Sequence, residues 1–567
     1  MEFYFYKILG KGYLKTLFFI PNICIFLGIS SFVHAEVVVP DSGTITKQLS
    51  PESFPKDAKT DQQYFDVDAT QQNYSRDQTP IWVSKVKIEG NHQIKTELLY
   101  DLVRHLENKN NILADLQITT DEITQFYKKQ GYFLAKAYLP KQKLENGVLI
   151  IRVLEGQLGK VILNNQSSIQ DKIIYRYTNQ IPVNQALQQQ QANKTLLLIS
   201  DVSGVGQVQA NLQAGEQIGQ TDLVLDILGQ KAISGRVGID NGGSSYTGRY
   251  RFSGYLESNS FMGIGEKISA QILSSDQDLV SGSINAQFPI TGNGLILGGG
   301  YSRTEYKLGE SFELLEAKGI SENYSLNFIY PAIRSQKTNL NLKLSFEERK
   351  LFDEIAATDT ETLKKIGASR IALNFSRLDE WGIGNSRGGI NQLEFMTTIG
   401  HLNIKSPSAL NIDRLSAKSQ GNFNKYEWKL SRQQRLGESS WFTGELYGQF
   451  SSKNLDSAEK FSFRQMRAYP AAEGLGDQGW GASINYYYQF LPFINTFLFH
   501  DIGHIQQNKN AYLNEKNSRS LASTGIGLAG SYQHWDYNTT LAWRNTSAAK
   551  SDTDRSPRFA FQIGWRF

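Results

Sequence analysis

The chain closes on Arg558-Phe559-Ala560-Phe561-Gln562-Ile563-Gly564-Trp565-Arg566-Phe567, and these ten residues decide the fold. In an extended stretch successive side chains point to opposite sides. Phe559, Phe561, Ile563, Trp565 and Phe567 then share one face. Arg558, Gln562, Gly564 and Arg566 share the other. A strand with lipid on one side and a wet lumen on the other reads this way. A half-buried strand of a soluble domain reads the same way, so the pattern has to recur before it carries a fold.

It does recur. From residue 230 onward apolar and polar residues alternate in sixteen segments, near 233–241, 246–257, 264–274, 279–289, 294–306, 320–330, 338–350, 367–378, 388–402, 421–433, 440–451, 480–490, 494–506, 519–532, 536–546 and 558–567. A strand needs only about 9–11 residues to cross a bilayer. Long polar stretches are expected after the odd strands from the seventh onward, among them 403–420, 452–479, 507–518 and 547–557. Connections after most even strands are short, as in Leu491-Pro492-Phe493. Short turns on one side and long loops on the other are the signature of a transmembrane barrel. The expected fold is therefore a sixteen-stranded antiparallel membrane barrel preceded by α+β domains.

Composition agrees. Lys and Arg number 59 and Asp and Glu 55, a formal charge of +4, which is unlike the basic surface of a nucleic-acid binder. Hydrophobic residues make up 40%. After residue 35 no apolar run is long enough for a membrane helix.

The first 35 residues read as an address. Lys7, Lys11 and Lys15 precede an apolar stretch, and Val33-His34-Ala35 has the small-x-small form of a cleavage site. An anchor helix is the alternative, but Pro21 and Asn22 interrupt the run. Cleavage would remove Cys24, the only cysteine, so the exported chain would have no disulfide. A disulfide-free exported barrel points to a Gram-negative envelope.

Residues 36–80 are polar and read as a linker, with a short helix compatible near Ser42 to Leu49. Residues 81–157 read as β-α-α-β-β, with one helix over Thr96 to Leu106 and a second starting at Thr119-Thr120-Asp121-Glu122. Asn146-Gly147 forms the turn between the last two strands. Residues 158–229 repeat that order loosely, with helices over Ser168 to Tyr177 and Val183 to Ile199. Tandem small domains of this kind usually grip extended partners.

Two segments concentrate candidate site residues. Met466-Arg467-Ala468-Tyr469-Pro470 is followed by Glu473-Gly474-Leu475-Gly476-Asp477-Gln478-Gly479-Trp480 in the loop after the eleventh strand. Its glycines and proline specify a fixed path. Arg467 is a fork-shaped cation that seeks a carboxylate, although by composition alone a solvated arginine is the simpler reading. Phe499-His500-Asp501-Ile502-Gly503 lies on the thirteenth strand. If Asp501 faces the lumen, so do Phe499 and Gly503, and Gly503 leaves room for a loop tip. His500 and His504 fall on the opposite face from Asp501, which argues against a metal. Gly292-Asn293-Gly294 lacks dinucleotide-loop spacing, and no phosphate-binding loop, nucleophile elbow or His-Glu-x-x-His occurs. Neither catalytic residues nor a cofactor are expected.

Taken together, an export signal, a linker, two β-α-α-β-β domains and a sixteen-strand barrel resemble the two-partner secretion transporters, the ShlB/FhaC/HecB (TpsB) family. The resemblance runs through Gly131-Tyr132 to Ala135, Ala137 to Leu139-Pro140, Gly147-Val148-Leu149-Ile150, Leu154-Glu155-Gly156 and Gly219-Gln220-Thr221-Asp222-Leu223. Arg467-Ala468-Tyr469-Pro470 with Gly476-Asp477-Gln478-Gly479-Trp480 is similar to the family's inward-folded sixth loop. Phe499-x-Asp501-x-Gly503 is similar to its strand motif, and Phe567 (with Trp565 before it) to the terminal aromatic read by the barrel-assembly machinery.

The resemblance implies periplasmic POTRA domains, an outer-membrane location in contact with lipid, and an unfolded exoprotein of haemagglutinin or haemolysin type as partner. It also implies a latch from Arg467 to Asp501, for which a charge swap is the natural test. The family often carries a plugging helix before the first POTRA domain, and residues 36–80 are short for one. An insertion factor of the same superfamily, or a passive porin, would share the barrel. The cargo is not specified: adhesin, haemolysin, haem-scavenging protein and contact-dependent inhibition toxin all fit.

Overall fold

The structure is a computed structural model and describes residues 39–49, 74–383, 386–471, 473–514, 516–553 and 555–567. The export signal expected over 1–35 lies outside the described residues. A seven-residue helix, α1 (Ser42–Gln48), comes first. Asp41 caps it, accepting from the Thr44 N–H at 3.0 Å and so satisfying a free helical donor.

In the first small domain β1 (Ile81–Val83) pairs with β3 (Lys109–Asn111). Strands β2 (Lys85–Glu89), β4 (Lys136–Tyr138) and β5 (Val148–Leu154) form a sheet in the order β2-β5-β4. Helices α2 (Thr96–Val103) and α3 (Leu113–Lys129) cover it, burying Leu99, Val103, Ile123 and Tyr127 against Ile88 and Ile151. Helix α3 starts six residues before the expected Thr119. Asp115 caps it, accepting from the Ile112 N–H at 3.1 Å, while the Thr119 and Thr120 hydroxyls donate back to Asp115 and Gln117 carbonyls. Threonine takes either role, and here it satisfies itself inside the helix.

The second domain orders β6 (Gln157–Gln166), β7 (Val205–Ala214) and β8 (Gln220–Gly229) as β6-β8-β7, under α4 (Asp171–Thr178) and α5 (Gln189–Ser200). Residues 183–188, expected to be helical, are not. Asn184 sits at φ 58° and Ala186 bridges to Gln157. This domain docks on the periplasmic turns of the barrel. Arg334 Nε meets Asp201 at 2.7 Å, and Arg176 donates to the Pro289 and Ile290 carbonyls.

The barrel is closed, with every neighbour antiparallel. Its strands are β9 (Ile233–Asp240), β10 (Arg251–Asn259), β11 (Lys267–Ser275), β12 (Leu279–Pro289), β13 (Ile296–Lys307), β14 (Ala317–Arg334), β15 (Thr338–Ile355), β16 (Thr360–Ile383), β17 (Ser386–Ile404), β18 (Gly421–Arg435), β19 (Ser440–Ser451), β20 (Gln478–Leu491), β21 (Ile494–Gln506), β22 (Ser518–Tyr532), β23 (Trp535–Arg544) and β24 (Arg558–Arg566). Closure joins β24 to β9 from Gln562↔Asp240 to Arg566↔Arg236. Beyond that, the Asn241 side chain replaces a strand, donating to the Phe559 carbonyl and accepting from the Phe561 N–H.

One expected loop is absent. Residues 351–366 are not a long connection: β15 and β16 run on to a turn at Ala356–Thr358. Strands β14 to β17 have 18, 18, 24 and 19 residues. That is far more than a crossing needs. Their outer halves are polar because they stand above the hydrocarbon, and a polar strand imitates a loop in sequence. The connection 405–420 carries a helix, α6 (Pro407–Leu415), that alternation did not foreshadow.

Candidate functional site inside the barrel

The connection between β19 and β20, residues 452–477, folds back into the lumen. Small residues on the wall admit it. A Cβ on Gly503 would stand 2.1 Å from the Phe463 ring, so this close approach requires glycine.

Arg467 and Asp501 meet there. Asp501 is fully buried. It accepts from the Arg467 backbone N–H at 3.2 Å, from Nε at 3.0 Å and from Nη2 at 2.5 Å. The hydroxyls of Ser483 and Ser523 also donate to it, at 2.8 and 3.0 Å. Arg467 Nη2 reaches Asn485 Oδ1 at 2.7 Å, and its guanidinium lies 3.5 Å from the Phe499 ring centroid. Every lone pair and donor that burial would leave wanting is met, as a buried ion pair requires.

The other residues singled out in the sequence pin the loop at separate points. The Tyr469 hydroxyl donates to the Ser547 carbonyl at 2.8 Å, and the Pro470 carbonyl accepts from the Glu473 N–H. Asp477, also fully buried, accepts from Lys460 Nζ at 2.9 Å, the Leu455 N–H at 3.0 Å and the Lys509 N–H at 2.8 Å. Gly476 exchanges two backbone bonds with Phe461, whose ring then packs on Gly479. Trp565 and Phe567 are not part of this site. Their rings stack at 5.3 Å on the outer wall, next to the seam. His500 and His504 also face outward, bonded to Thr524 and Ser520.

The sequence reading missed a second anchor. Glu459, in the turn Ser457–Glu459, is 1% exposed. It faces Lys425 at 2.9 Å, Arg370 at 3.0 Å and Arg349 at 3.4 Å, all on the lumen side of β15, β16 and β18. Burial alone would raise its carboxyl pKa, but the three cations outweigh burial and hold it well below the carboxylate range. The signal was available: these cations occupy the strand positions that alternation assigns to the lumen.

Helix α1 completes the lumen. Its Ser42 N–H and hydroxyl donate to Asp353 at 2.7 and 2.9 Å, and Tyr306 donates to the same carboxylate. Lys364 bridges Asp41 at 3.1 Å and Asp456 at 2.9 Å, and the Ser457 hydroxyl donates to Asp41 at 2.7 Å. Gly43 lies so close to the loop that a Cβ would stand 2.3 Å from Ser457 Oγ. Helix and loop thus share one lysine and one tight contact.

Docking of α1 carries a pH signature. Burial raises the Asp41 carboxyl, but Lys364 and the hydrogen bonds from Ser457 and Thr44 bring it down to about 2. Its share of docking stability is present above the free value of 3.8 and is lost as pH falls toward 2. Burial, then the Lys425 charge, lower Lys47 from 10.5 to about 8. Docked Lys47 binds fewer protons than free Lys47, so docking strengthens as pH rises from about 8 toward 10.5. Conductance of the purified protein in planar bilayers should therefore fall across that alkaline window, and Lys47→Met should flatten it. A rise in conductance would reverse the assigned sign.

Residues 81–156 match the model of the ShlB-type POTRA domain, and residues 219–530 match that of the haemolysin secretion/activation protein ShlB/FhaC/HecB. The chain is 28% identical over 514 residues to the heme/hemopexin transporter protein HuxB of Haemophilus influenzae, covering 87% of this chain and 90% of the relative. It is 21% identical over 456 residues to the outer membrane transporter CdiB of Dickeya dadantii, covering 77% and 78%. The solved structure of CdiB from Escherichia coli shares the fold with a TM-score of 0.69 at 18% identity, over 89% of this chain and 94% of that one. The chain belongs to the haemolysin secretion/activation ShlB/FhaC/HecB family, outer-membrane transporters with periplasmic POTRA domains that secrete a partner exoprotein.

Proposed function

We propose that the exoprotein enters at the two periplasmic domains and leaves through the barrel lumen, and that α1 and the loop over residues 452–477 are the gate it must move. The carrying observation is that both occupy the lumen and are joined through Lys364, which pairs with Asp41 of the helix end and Asp456 of the loop. Arg467 and Asp501 hold the loop's inner end as a latch. The exposed sheet edges of the small domains supply the backbone groups that an extended chain pairs with. With no nucleotide-binding motif in the sequence, folding outside supplies the direction of transport.

The cargo is a haem-acquisition exoprotein, a reading that rests on the likeness to HuxB over nine-tenths of that relative's length. Trp565 and Phe567, outward and terminal, serve as the signal for the barrel-assembly machinery, and the apolar outer face meets lipid.

The test bridges α1 to the wall. Ser42→Cys and Asp353→Cys, joined by a reducible bismaleimide, should stop appearance of the exoprotein in the medium, and reduction should restore it. Full secretion with the bridge complete would remove the gate. General loss of outer-membrane proteins on depletion, with no trapped exoprotein, would instead mark an insertion factor.

A further inference from the structure

We infer that the turn over residues 131–134 of the first domain is a clasp that makes the two periplasmic domains one rigid arm, with Phe133 as its positioning residue. Its role in export rests on entry of the exoprotein at these domains. Only Glu155 and Gly156 separate β5 of the first domain from β6 of the second. Domains joined by so short a link, half of it glycine, move against each other by default unless apolar packing holds them.

The turn supplies that packing. Helix α3 ends at Lys129, and Gly131, at φ 90°, redirects the chain. The side chains that follow divide between the domains. Tyr132 and Ala135 join the core of the first domain. Phe133 and Leu134 instead join that of the second, where Phe133 is 8% exposed in one cluster with Leu158, Leu187 and Leu196. Leu134 also covers the link itself. A Cβ on Gly156, which sits at φ 69°, would stand 2.4 Å from the Leu134 Cβ. Polar contacts close the rest. Helix α5 has no capping side chain of its own, and the first N–H groups of a helix lack helical acceptors. The Gly131 carbonyl accepts from the Gln189 N–H at 2.9 Å, so one domain caps a helix of the other. Gln188 Nε2 donates to Tyr132 Oη at 3.2 Å. The second domain is fixed in turn to the barrel through Arg334 and Arg176. The clasp therefore sets where the first domain stands relative to the pore. An extended chain that meets two modules at a fixed separation binds the second as an intramolecular event, and that gain falls when the separation wanders.

The test uses the full-length protein. Nitroxides at Glu97→Cys and Lys172→Cys, both exposed, on α2 and α4, report the distance between the domains by pulsed electron resonance. The distribution should be narrow. Phe133→Ala should broaden it, and so should Gly-Ser-Gly inserted after Gly156, which removes no side chain. Each change, without the labels, should lower exoprotein in the medium about tenfold, a small part of the gain that fixed linkage confers. Heat-modifiable migration on gels confirms the barrel in both. Joining Tyr132→Cys to Gln188→Cys by a reducible bismaleimide should restore export to both chains, and reduction should remove it again. Mere damage to the second domain's core would not respond in that way. A broad distribution in the unaltered protein, or a narrow one in both altered chains, overturns the clasp. Parental export from a broadened arm, or export that the bridge fails to restore, overturns the positioning role. The distances need no partner, so their failure leaves entry of the exoprotein at these domains untouched. The bridge from residue 42 to residue 353 tests the gate in a chain whose clasp is intact.

Discussion

Arg467→Ala is expected to abolish secretion while leaving barrel abundance close to normal. The substitution strands the Asp501 carboxylate, fully buried, with only the backbone N–H of residue 467 and the hydroxyls of Ser483 and Ser523 to face it. Breaking one side of a buried pair costs about 3–5 kcal/mol. That is a shift of about two to nearly four orders of magnitude in the docking of the loop's inner end. Arg467→Lys should be intermediate at best, because an ammonium cannot contact Asp501 twice, reach Asn485 and lie flat on Phe499 together. Adding Asp501→Asn to Arg467→Met should recover part of the loss, since the remaining amide is neutral and both serines can still satisfy it. The charge-reversed pair, which the sequence alone recommends, should recover little. An aspartate at 467 would face Asn485 Oδ1 and the Phe499 ring, both placed for a cation. Protease protection of the loop and export of the partner are the two readouts. Wild-type protection in Arg467→Ala would end the latch.

The second large effect is expected at Glu459. Glu459→Gln leaves Lys425, 1% exposed, together with Arg370 and Arg349 around a neutral group. Glu427 beside Lys425 and Glu347 beside Arg370 then remain as two carboxylates for three cations, so one buried positive charge is left uncompensated, at a cost of several kcal/mol. The turn Ser457–Glu459 should leave the wall and take α1 with it, because Gly43 and Asp41 rest on that turn. The measurable consequence is a several-fold rise in ion conductance of the purified protein in planar bilayers. Adding Lys425→Met should bring conductance partly back by removing one of the stranded charges. An unchanged conductance in Glu459→Gln would separate the turn from the helix and dissolve the proposed common gate.

These two sites differed in how far sequence exposed them. Arg467 and Asp501 sit in short motifs of glycine, proline and aromatic residues, and alternation along β21 puts Asp501 on one face with Phe499 and Gly503. Glu459 carries no such frame. It is one acid in a polar stretch of loop, and its three partners come from three different strands. Lys364 is similar: it reads as one more charge in what looked like a loop over 351–366, until β15 and β16 prove to continue beyond the membrane. The false start at Thr119 has a comparable origin, since a threonine that bonds back inside a helix looks, in sequence, like one that caps it.

What the sequence determined by itself was everything that depends on a period of two and on neighbours close in the chain: strands, their inner and outer faces, the turns of one side and most of the loops of the other. Barrel closure adds nothing to that pattern, because each hairpin fixes its own register. Only the tertiary structure decided what fills the lumen. The Ser457 hydroxyl and the Asp41 carboxylate are 416 positions apart and meet at 2.7 Å. No local preference of either residue encodes such a contact. It exists because a closed wall of sixteen strands brings a helix from the start of the chain and a loop from near its end into the same confined, low-dielectric space, where each charge must find a partner.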